Sequence, residues 1–128
     1  MNNKNVIPSL LAGHLAAYML NNKGLLIFTG AAMPFREPTP GMLAYAIAKT
    51  GCHAISLNVA ERDCIPSDSV VTTILPELID TPENRSSMPS ADYSTWTSPE
   101  SIAGLLKMWA DGVNRPENGS FAILKSKN

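Results

Sequence analysis

Tyr45 and Lys49 are the residues of this sequence whose types and spacing most clearly suggest chemistry. They stand four residues apart in GMLAYAIAKT, residues 41–50. Residues i and i+4 share one face of an α-helix, so both side chains can reach one site. A free tyrosine titrates near pH ~10, and a neighbouring ammonium favours the phenolate and brings the pKa toward neutrality. The pair is therefore a candidate proton donor with a lysine that tunes it.

A tyrosine and a lysine at this spacing also occur together by chance on helix surfaces, so the pattern alone decides little. The elements around the pair must show whether it faces a site. The apolar pattern predicts a helix over residues 8–21, buried on more than one side, and then a buried strand in GLLIFTGA, residues 24–31. The loop AMPFREPTP follows that strand.

Thr39 is predicted to cap the helix that carries the pair, with Pro40 as its first residue and its end near Glu61. A second buried strand is predicted in DSVVTTIL, residues 68–75, and Pro76 directly after it marks its end. No periodic pattern appears over residues 77–96, which in a compact domain indicates a functional lid or binding loop. The pair and this loop would thus lie near the ends of two neighbouring strands.

TSPE, residues 97–100, is a capping box, and it predicts a helix to about Asp111, before a last strand in SFAILK, residues 120–125. The order helix, strand, helix, strand, helix, strand predicts an α/β fold with a parallel sheet. The chain has no internal repeat and no linker, so residues 1–128 are expected to form a single unit.

Composition excludes several classes of function. The net charge is −1 and the cationic residues are scattered, so neither nucleic acid nor an anionic membrane is an expected partner. Cys52 and Cys64 lack metal-ligand spacing, so we expect reduced thiols in a cytoplasmic protein and no metal site. The apolar run near the N-terminus could be a signal peptide, but Pro8 and His14 interrupt it and favour a buried helix. His14 and His53 are expected to be structural.

The order of elements around the tyrosine and lysine resembles the catalytic half of the short-chain dehydrogenase/reductase family. More closely, TPGMLAYAIAKTGCH, LPELIDTPENRSSMPSADYSTWT and NRPENGS are similar to strings of the dihydropteridine reductases, a branch of that family. The resemblance covers nearly the whole chain. It implies the C-terminal half of a Rossmann-like, doubly wound parallel sheet.

The resemblance also implies an activity, the NADH- or NADPH-dependent reduction of quinonoid dihydropterin. Tyr45 would donate a proton to the pterin, and Lys49 would lower the tyrosine pKa and hydrogen-bond the nicotinamide ribose. Ala32 stands where most of the family has a substrate-orienting serine. Pro76 and Thr81 would border the nicotinamide carboxamide, although Thr81 could instead form only a turn before the next proline.

Other implied roles concern the ends of the site. Asn5 matches an asparagine that holds a water in the proton relay of many members, and a plain polar residue or helix cap is the alternative. The predicted lid resembles the family's substrate lid and includes Asn84, Arg85, Met88 and Trp96, of which Trp96 could equally be a packing residue. The helices over 8–21 and 40–61 would form a homodimer interface by the same resemblance.

One expected part of the family pattern is absent from this sequence. Its eight glycines never form the GxGxxG spacing of a pyrophosphate-binding turn, so the N-terminal nucleotide-binding half is predicted to be missing. Three interpretations follow: a truncated dihydropteridine reductase, a non-enzymatic dimerisation or regulatory partner of a full-length reductase, or a protein whose nucleotide half comes from another chain.

Overall fold

The computed structural model describes residues 1–125, and the end of the predicted last strand, Lys125, is the final described residue. Five α-helices and three β-strands are found in this part of the chain: α1 Val6–Met19, β1 Leu25–Thr29, α2 Ala32–Arg36, α3 Leu43–Val59, β2 Val70–Pro76, α4 Pro82–Ser87, α5 Pro99–Ala110 and β3 Ser120–Leu124. Short 3-10 turns cover Asn2–Lys4 and Tyr93–Thr95. The predicted α/β class is confirmed.

The sheet is parallel throughout, with strand order β1-β2-β3. Leu25 pairs with Val70 in the first ladder and Thr72 with Ser120 in the second. Buried positions run along almost the whole of β2, as expected for the central strand of a sheet covered on both faces. Strand β1 pairs with β2 alone among the described residues, so its other edge is open.

Two apolar clusters cover the sheet. The first joins α1, β1, α3 and β2 and contains Phe28, Ala60, Ile65 and Val71. The second lies under α5 and contains Ile74, Trp109 and Leu124. Helices α1 and α3 also pack closely on each other, because Gly13 leaves space for Val59 and Gly51 for Val6.

The predicted helix starts need correction. Thr39 does not cap α3, because the backbone carbonyl of Thr39 accepts a turn hydrogen bond from Met42, and Met42 occupies the cap position without a side-chain bond. The capping box over residues 97–100 is wrong by one residue, since Ser98 is the cap and its hydroxyl accepts from the N–H of Ser101. Pro99 is the first residue of α5 in the observed register and would be the second in the predicted one, and a proline is tolerated at both places because the first N–H groups of a helix have no partner within it.

Two predicted loops contain short helices. In AMPFREPTP, residues 32–36 form α2, where Pro34 lies in the first turn and therefore breaks no helical hydrogen bond. In the predicted lid, residues 82–87 form α4 behind the Thr81 cap. Helices this short carry no periodic apolar pattern, so periodicity could not detect them.

Candidate functional site

Tyr45 and Lys49 lie on one face of α3 and are both half-buried. The Lys49 Nζ lies 5.9 Å from the centroid of the Tyr45 ring and donates a hydrogen bond of 3.2 Å to the carbonyl of Thr29. Thr29 is the last residue of β1. Helix α3 therefore brings both side chains to the carboxyl end of that strand, where the spacing predicted them.

Burial changes the protonation of this pair. It raises the pKa of Tyr45 and lowers the pKa of Lys49, for which the nearby Cys52 thiol acts in the opposite direction. In this arrangement the Lys49 ammonium is bound to a carbonyl and burial of the phenol raises the pKa of Tyr45, so a lowering of that pKa by Lys49 stays a prediction. Tyr45 is consequently a neutral phenol at neutral pH, which is the form that donates a proton.

The segment after β1 forms the wall beside this pair. Ala32, at the start of α2, is only 1% exposed and offers no hydroxyl. The N–H of Ala31 donates to Nε2 of His53 over 3.3 Å, so His53 is a buried histidine with a partner, as expected. Burial lowers the pKa of His53, and Lys49 adds to that effect. By contrast, His14 is exposed and contacts the ring of Tyr18.

The end of β2 lies next to the end of β1 at the same edge of the sheet and forms the second wall of the candidate site. Pro76 is buried at the last position of that strand, and Thr81 follows at the cap of α4. The hydroxyl of Thr81 accepts the N–H of Asn84 over 3.2 Å, so this residue begins a helix and is more than a turn before Pro82. A hydroxyl that accepts from inside the helix still has its own hydrogen to donate.

The residues of the predicted lid contact one another. Arg85 binds Asp80 through two hydrogen bonds, of 2.5 and 2.7 Å, and its guanidinium lies 4.5 Å from the centroid of the Tyr93 ring. That pairing lowers the pKa of Asp80. The Tyr93 hydroxyl donates to the carbonyl of Met88 over 3.1 Å, and the Tyr93 ring lies 4.8 Å from that of Trp96. Trp96 is buried at 6% exposure and packs inside the lid.

Asn5 lies apart from these groups in the hydrogen-bond network. Asn5 occupies the N-cap position of α1, as the cap alternative has it, but its side chain makes no capping hydrogen bond, and its Nδ2 donates instead to the carbonyl of Met1 over 3.1 Å. Within residues 1–125, no hydrogen bond joins Asn5 to Tyr45 or Lys49. The structure therefore leaves the relay role as a prediction.

Sequence reasoning missed the ion pair between Arg36 and Glu77, which connects α2 to the segment after β2. It also missed Tyr93 as the residue that organises the lid. Neither had a local signal, because the partners of Arg36 and Tyr93 are fixed by the fold. Gly30 was a usable signal, since a Cβ at that position would lie 2.2 Å from Nε2 of His53 and so indicates a close approach.

Two further features are absent from the described part of the chain. No helix there is long and apolar enough to cross a membrane. No group of three or more histidine, cysteine, aspartate or glutamate side chains among residues 1–125 is arranged to hold a metal ion.

Comparison with known proteins identifies relatives. A dihydropteridine reductase of Dictyostelium discoideum is 34% identical over 126 residues, which cover 97% of this chain and 54% of that protein. A Serratia marcescens short-chain dehydrogenase/reductase superposes with a TM-score of 0.78 at 23% identity, over 97% of this chain and 53% of that one. A short-chain dehydrogenase from Burkholderia cenocepacia, solved with NADP, gives 0.75 at 22% identity, over 96% and 53%.

No family model matches the chain. The two solved structures establish the fold, and the Dictyostelium protein carries the closer similarity in sequence. The resemblance predicted from the sequence is thus confirmed: the chain is similar to a dihydropteridine reductase and has the fold of the short-chain dehydrogenases/reductases, and it spans about half the length of the relatives it matches.

Proposed function

We propose that this chain carries the proton-donating half of a reductase that converts quinonoid dihydropterin to tetrahydropterin with NADH or NADPH. The carrying observation is the placement of Tyr45 and Lys49 together at the carboxyl end of β1. Ligands of open α/β sheets bind at the carboxyl ends of the strands. The similarity to a dihydropteridine reductase along 97% of this chain supports the substrate class.

Tyr45 is the proposed proton donor to the pterin ring. Burial raises its pKa and keeps the phenol protonated until a base is formed on the substrate. Lys49 is proposed to hydrogen-bond the nicotinamide ribose, and a primary ammonium has hydrogens for this beyond the one directed at Thr29. Asn5 is proposed to hold a water that returns a proton to the tyrosine.

The residues present fit the nicotinamide end of a dinucleotide. When bound, the reduced nicotinamide supplies a hydride. Pro76 offers a buried apolar surface at the end of β2, and Thr81 keeps one hydroxyl hydrogen for the carboxamide. Short-chain dehydrogenases of this fold have been solved with NADP or NADPH, which supports a nicotinamide cofactor without choosing between the two. The chain's glycines provide no GxGxxG turn for the pyrophosphate.

The substrate is proposed to lie between the two walls. Met88 would cover the pterin from the lid, and Ala32, which is buried, would shape the site from beneath its surface. Arg85 is engaged with Asp80 and Tyr93, so we propose that it shapes the lid and contacts the substrate only at its exposed edge. Trp96 would support the lid from below, since it is buried against Tyr93.

The second candidate is a dimerisation or regulatory partner of a full-length reductase, and a specific observation favours it. Helices α1 and α3 together expose a series of large apolar side chains: Ile7, Leu10, Leu11, Leu15, Tyr18, Met19, Leu43, Ile47 and Leu57. A monomer rarely leaves that much apolar surface on two packed helices. We propose that these helices form a two-fold interface with a second subunit, either a copy or a longer relative.

A titration of the 128-residue protein with NADH by calorimetry, followed by turnover of quinonoid dihydropterin, tests the first candidate. Tyr45→Phe is expected to reduce turnover by about 10²- to 10⁴-fold, because it removes the proton donor. Tyr18→Phe is the matched control, because it removes the same hydroxyl from an exposed α1 tyrosine and keeps the ring that the proposed interface would use, so it should leave turnover unchanged.

Native mass spectrometry of the same sample distinguishes the remaining candidates. A homodimer with turnover supports a self-assembled enzyme. Assembly without NADH binding or turnover would contradict enzymatic activity of this chain and support the partner role, whereas activity that appears only with a second chain would indicate a supplied nucleotide half.

A further inference from the structure

The buried side chain of His53 contacts several elements near the candidate site. It lies on α3, one turn beyond Lys49, and its Nε2 accepts the N–H of Ala31 over 3.3 Å. Its ring also packs against Phe35 of α2 and Phe121 of β3, with centroid distances of 5.9 and 5.5 Å. One side chain therefore joins the helix that carries the tyrosine to the segment that leads from β1 into α2.

Gly30 makes this contact possible. A Cβ at Gly30 would lie 2.2 Å from Nε2 and 2.6 Å from Cδ2 of His53, distances that real Cβ atoms do not show. The absence of a side chain at residue 30 thus lets the imidazole reach the amide of residue 31. The contact depends on both partners and is not an incidental meeting of two surfaces.

Few other polar contacts hold the segment between β1 and α3 in place. Helix α2 has no side-chain cap at its start, and its residues Met33 and Phe35 are about half exposed. Beyond the bond to His53, it is held by the Arg36–Glu77 ion pair, whose side chains are both more than a third exposed. The Gly30 N–H donates to the carbonyl of Ile74 over 2.9 Å and fixes the start of the segment to β2. Exposed ion pairs contribute little to stability, so the His53 bond is the main polar restraint on the part of the segment that follows Gly30.

We propose that His53 is a positioning residue of the candidate site, which holds the segment Gly30–Arg36 in place only while its imidazole is neutral. The structural part stands on the geometry alone, and the consequence for catalysis rests on the proposed function. A neutral imidazole has one nitrogen lone pair to accept the Ala31 N–H, whereas a protonated ring carries hydrogens on both nitrogens. Two donors then face each other, and the segment carrying Ala32 is released.

The surroundings of His53 set the direction of this switch. Lys49, on the same helix, is the cation that acts on it, and Cys52 is the adjacent thiol. The groups that face it from the other elements, Gly30, Ala31 and the rings of Phe35 and Phe121, do not titrate.

The charges on the neighbouring segments, Arg36 after β1 and Glu77 after β2, are paired with each other. Burial first, and then Lys49, lower the pKa of His53 below its ordinary 6.5. The segment is consequently held at neutral pH and released in mild acid.

The direction in which pH changes the stability follows from the difference in the pKa of His53 between the unfolded and the folded chain. The unfolded chain binds the proton at the ordinary value of 6.5, and the folded chain binds it only at lower pH. The contribution of neutral His53 to stability is therefore complete above pH 6.5 and is lost as the pH falls from 6.5 through the folded pKa. A held segment above that window and a released one below it are the two states to be measured.

The test is amide hydrogen exchange of Ala31, measured by NMR on the 128-residue protein between pH about 8 and about 5. The wild type should protect this amide about ten-fold or more at neutral pH, corrected for intrinsic exchange, and lose that protection as His53 titrates. His53→Gln places an amide oxygen, which does not titrate, near the position of Nε2 and should stay protected throughout. His53→Leu removes the acceptor and should be unprotected throughout.

Protection that persists through the titration of His53, or that survives in His53→Leu, would overturn the proposal. So would nitrogen shifts showing that Nε2 carries the hydrogen at neutral pH. Should the leucine variant fail to fold, the difference in pH profile between wild type and His53→Gln decides alone.

These readouts need no cofactor or substrate, so they remain valid where the proposed function fails. Where turnover is found, acidification should raise KM for the pterin in the wild type and leave it unchanged in His53→Gln. Equal KM changes in the two proteins would contradict the positioning role.

Discussion

The segments that follow β1 and β2 meet at the same edge of the sheet, and both contain a short helix, yet they are held in opposite ways. The segment after β2 is fixed by contacts within itself. Its two ends are joined by backbone hydrogen bonds from Thr97 to Leu78 and from Asp80 to Thr97, of 2.8 and 2.9 Å. Thr81 caps α4, and Asn84 donates to the carbonyl of Ile79 over 2.7 Å.

The segment after β1 has few contacts of its own. Its polar partners, Ile74, His53 and Glu77, come from other elements. The comparison shows that the lid over residues 77–96 is a preformed unit, whereas α2 takes its position from its neighbours. In such a site, a change in a neighbour moves the α2 wall first, and the lid keeps its shape.

The largest expected effect is a loss of stability, and it comes from removing the Trp96 side chain from the lid. Trp96→Ala should lower the free energy of unfolding by about 3–5 kcal/mol, because it removes a buried indole that supports Tyr93. Phe35→Ala, in the other segment, should cost only about 1 kcal/mol, since Phe35 is 48% exposed. Urea denaturation of both variants measures the two values, and equal losses would mean that α2 is as firmly built as the lid.

Gly30 gives the next largest effect. Gly30→Ala should destabilise the protein by about 1–3 kcal/mol, because the new methyl group would overlap His53 and Leu75. Gly104→Ala is the matched control, as nothing lies within 4 Å of a Cβ at that position of α5. It should raise stability by about 0.5–1 kcal/mol through helix propensity alone. A neutral Gly30→Ala would contradict the close approach of His53.

The sequence predicted the architecture well because long elements carry long patterns. The helix over 8–21, the strand DSVVTTIL and the helix ending near Asp111 each contain enough apolar residues to fix their type. The structure shifts their ends by a few residues, to Val6–Met19, Val70–Pro76 and Pro99–Ala110. Such shifts arise because several polar residues near a helix start can serve as its cap.

The site was predictable only in part. The spacing of Tyr45 and Lys49 was sufficient to place both on one face, since four residues make about one turn. Their protonation was not predictable, because the raised pKa of Tyr45 depends on burial that the final packing creates. The bond from Ala31 to His53 was equally hidden, since its partners are 22 residues apart and only the crossover from β1 to α3 brings them together.

The smallest expected effect on stability concerns two threonines that have a similar sequence context and different structural roles. Both Thr39 and Thr81 precede a proline, a pattern typical of a helix cap and its first residue, and Thr39 was the one predicted to be a cap. In the structure only Thr81 accepts a hydrogen bond from the helix it precedes, through its Oγ1 from the N–H of Asn84. Thr39 contributes its backbone carbonyl to a turn, for which the side chain is dispensable.

Thr81→Ala should therefore lower the free energy of unfolding by about 1 kcal/mol and expose the Asn84 amide to hydrogen exchange. Thr39→Ala should change stability by less than about 0.5 kcal/mol, as a surface substitution away from any cap does. A loss at Thr39 equal to that at Thr81 would mean that the segment after β1 contains a cap of its own. The difference between a self-supporting lid and an externally held α2 would then disappear, since both segments would be stabilised by the same local device.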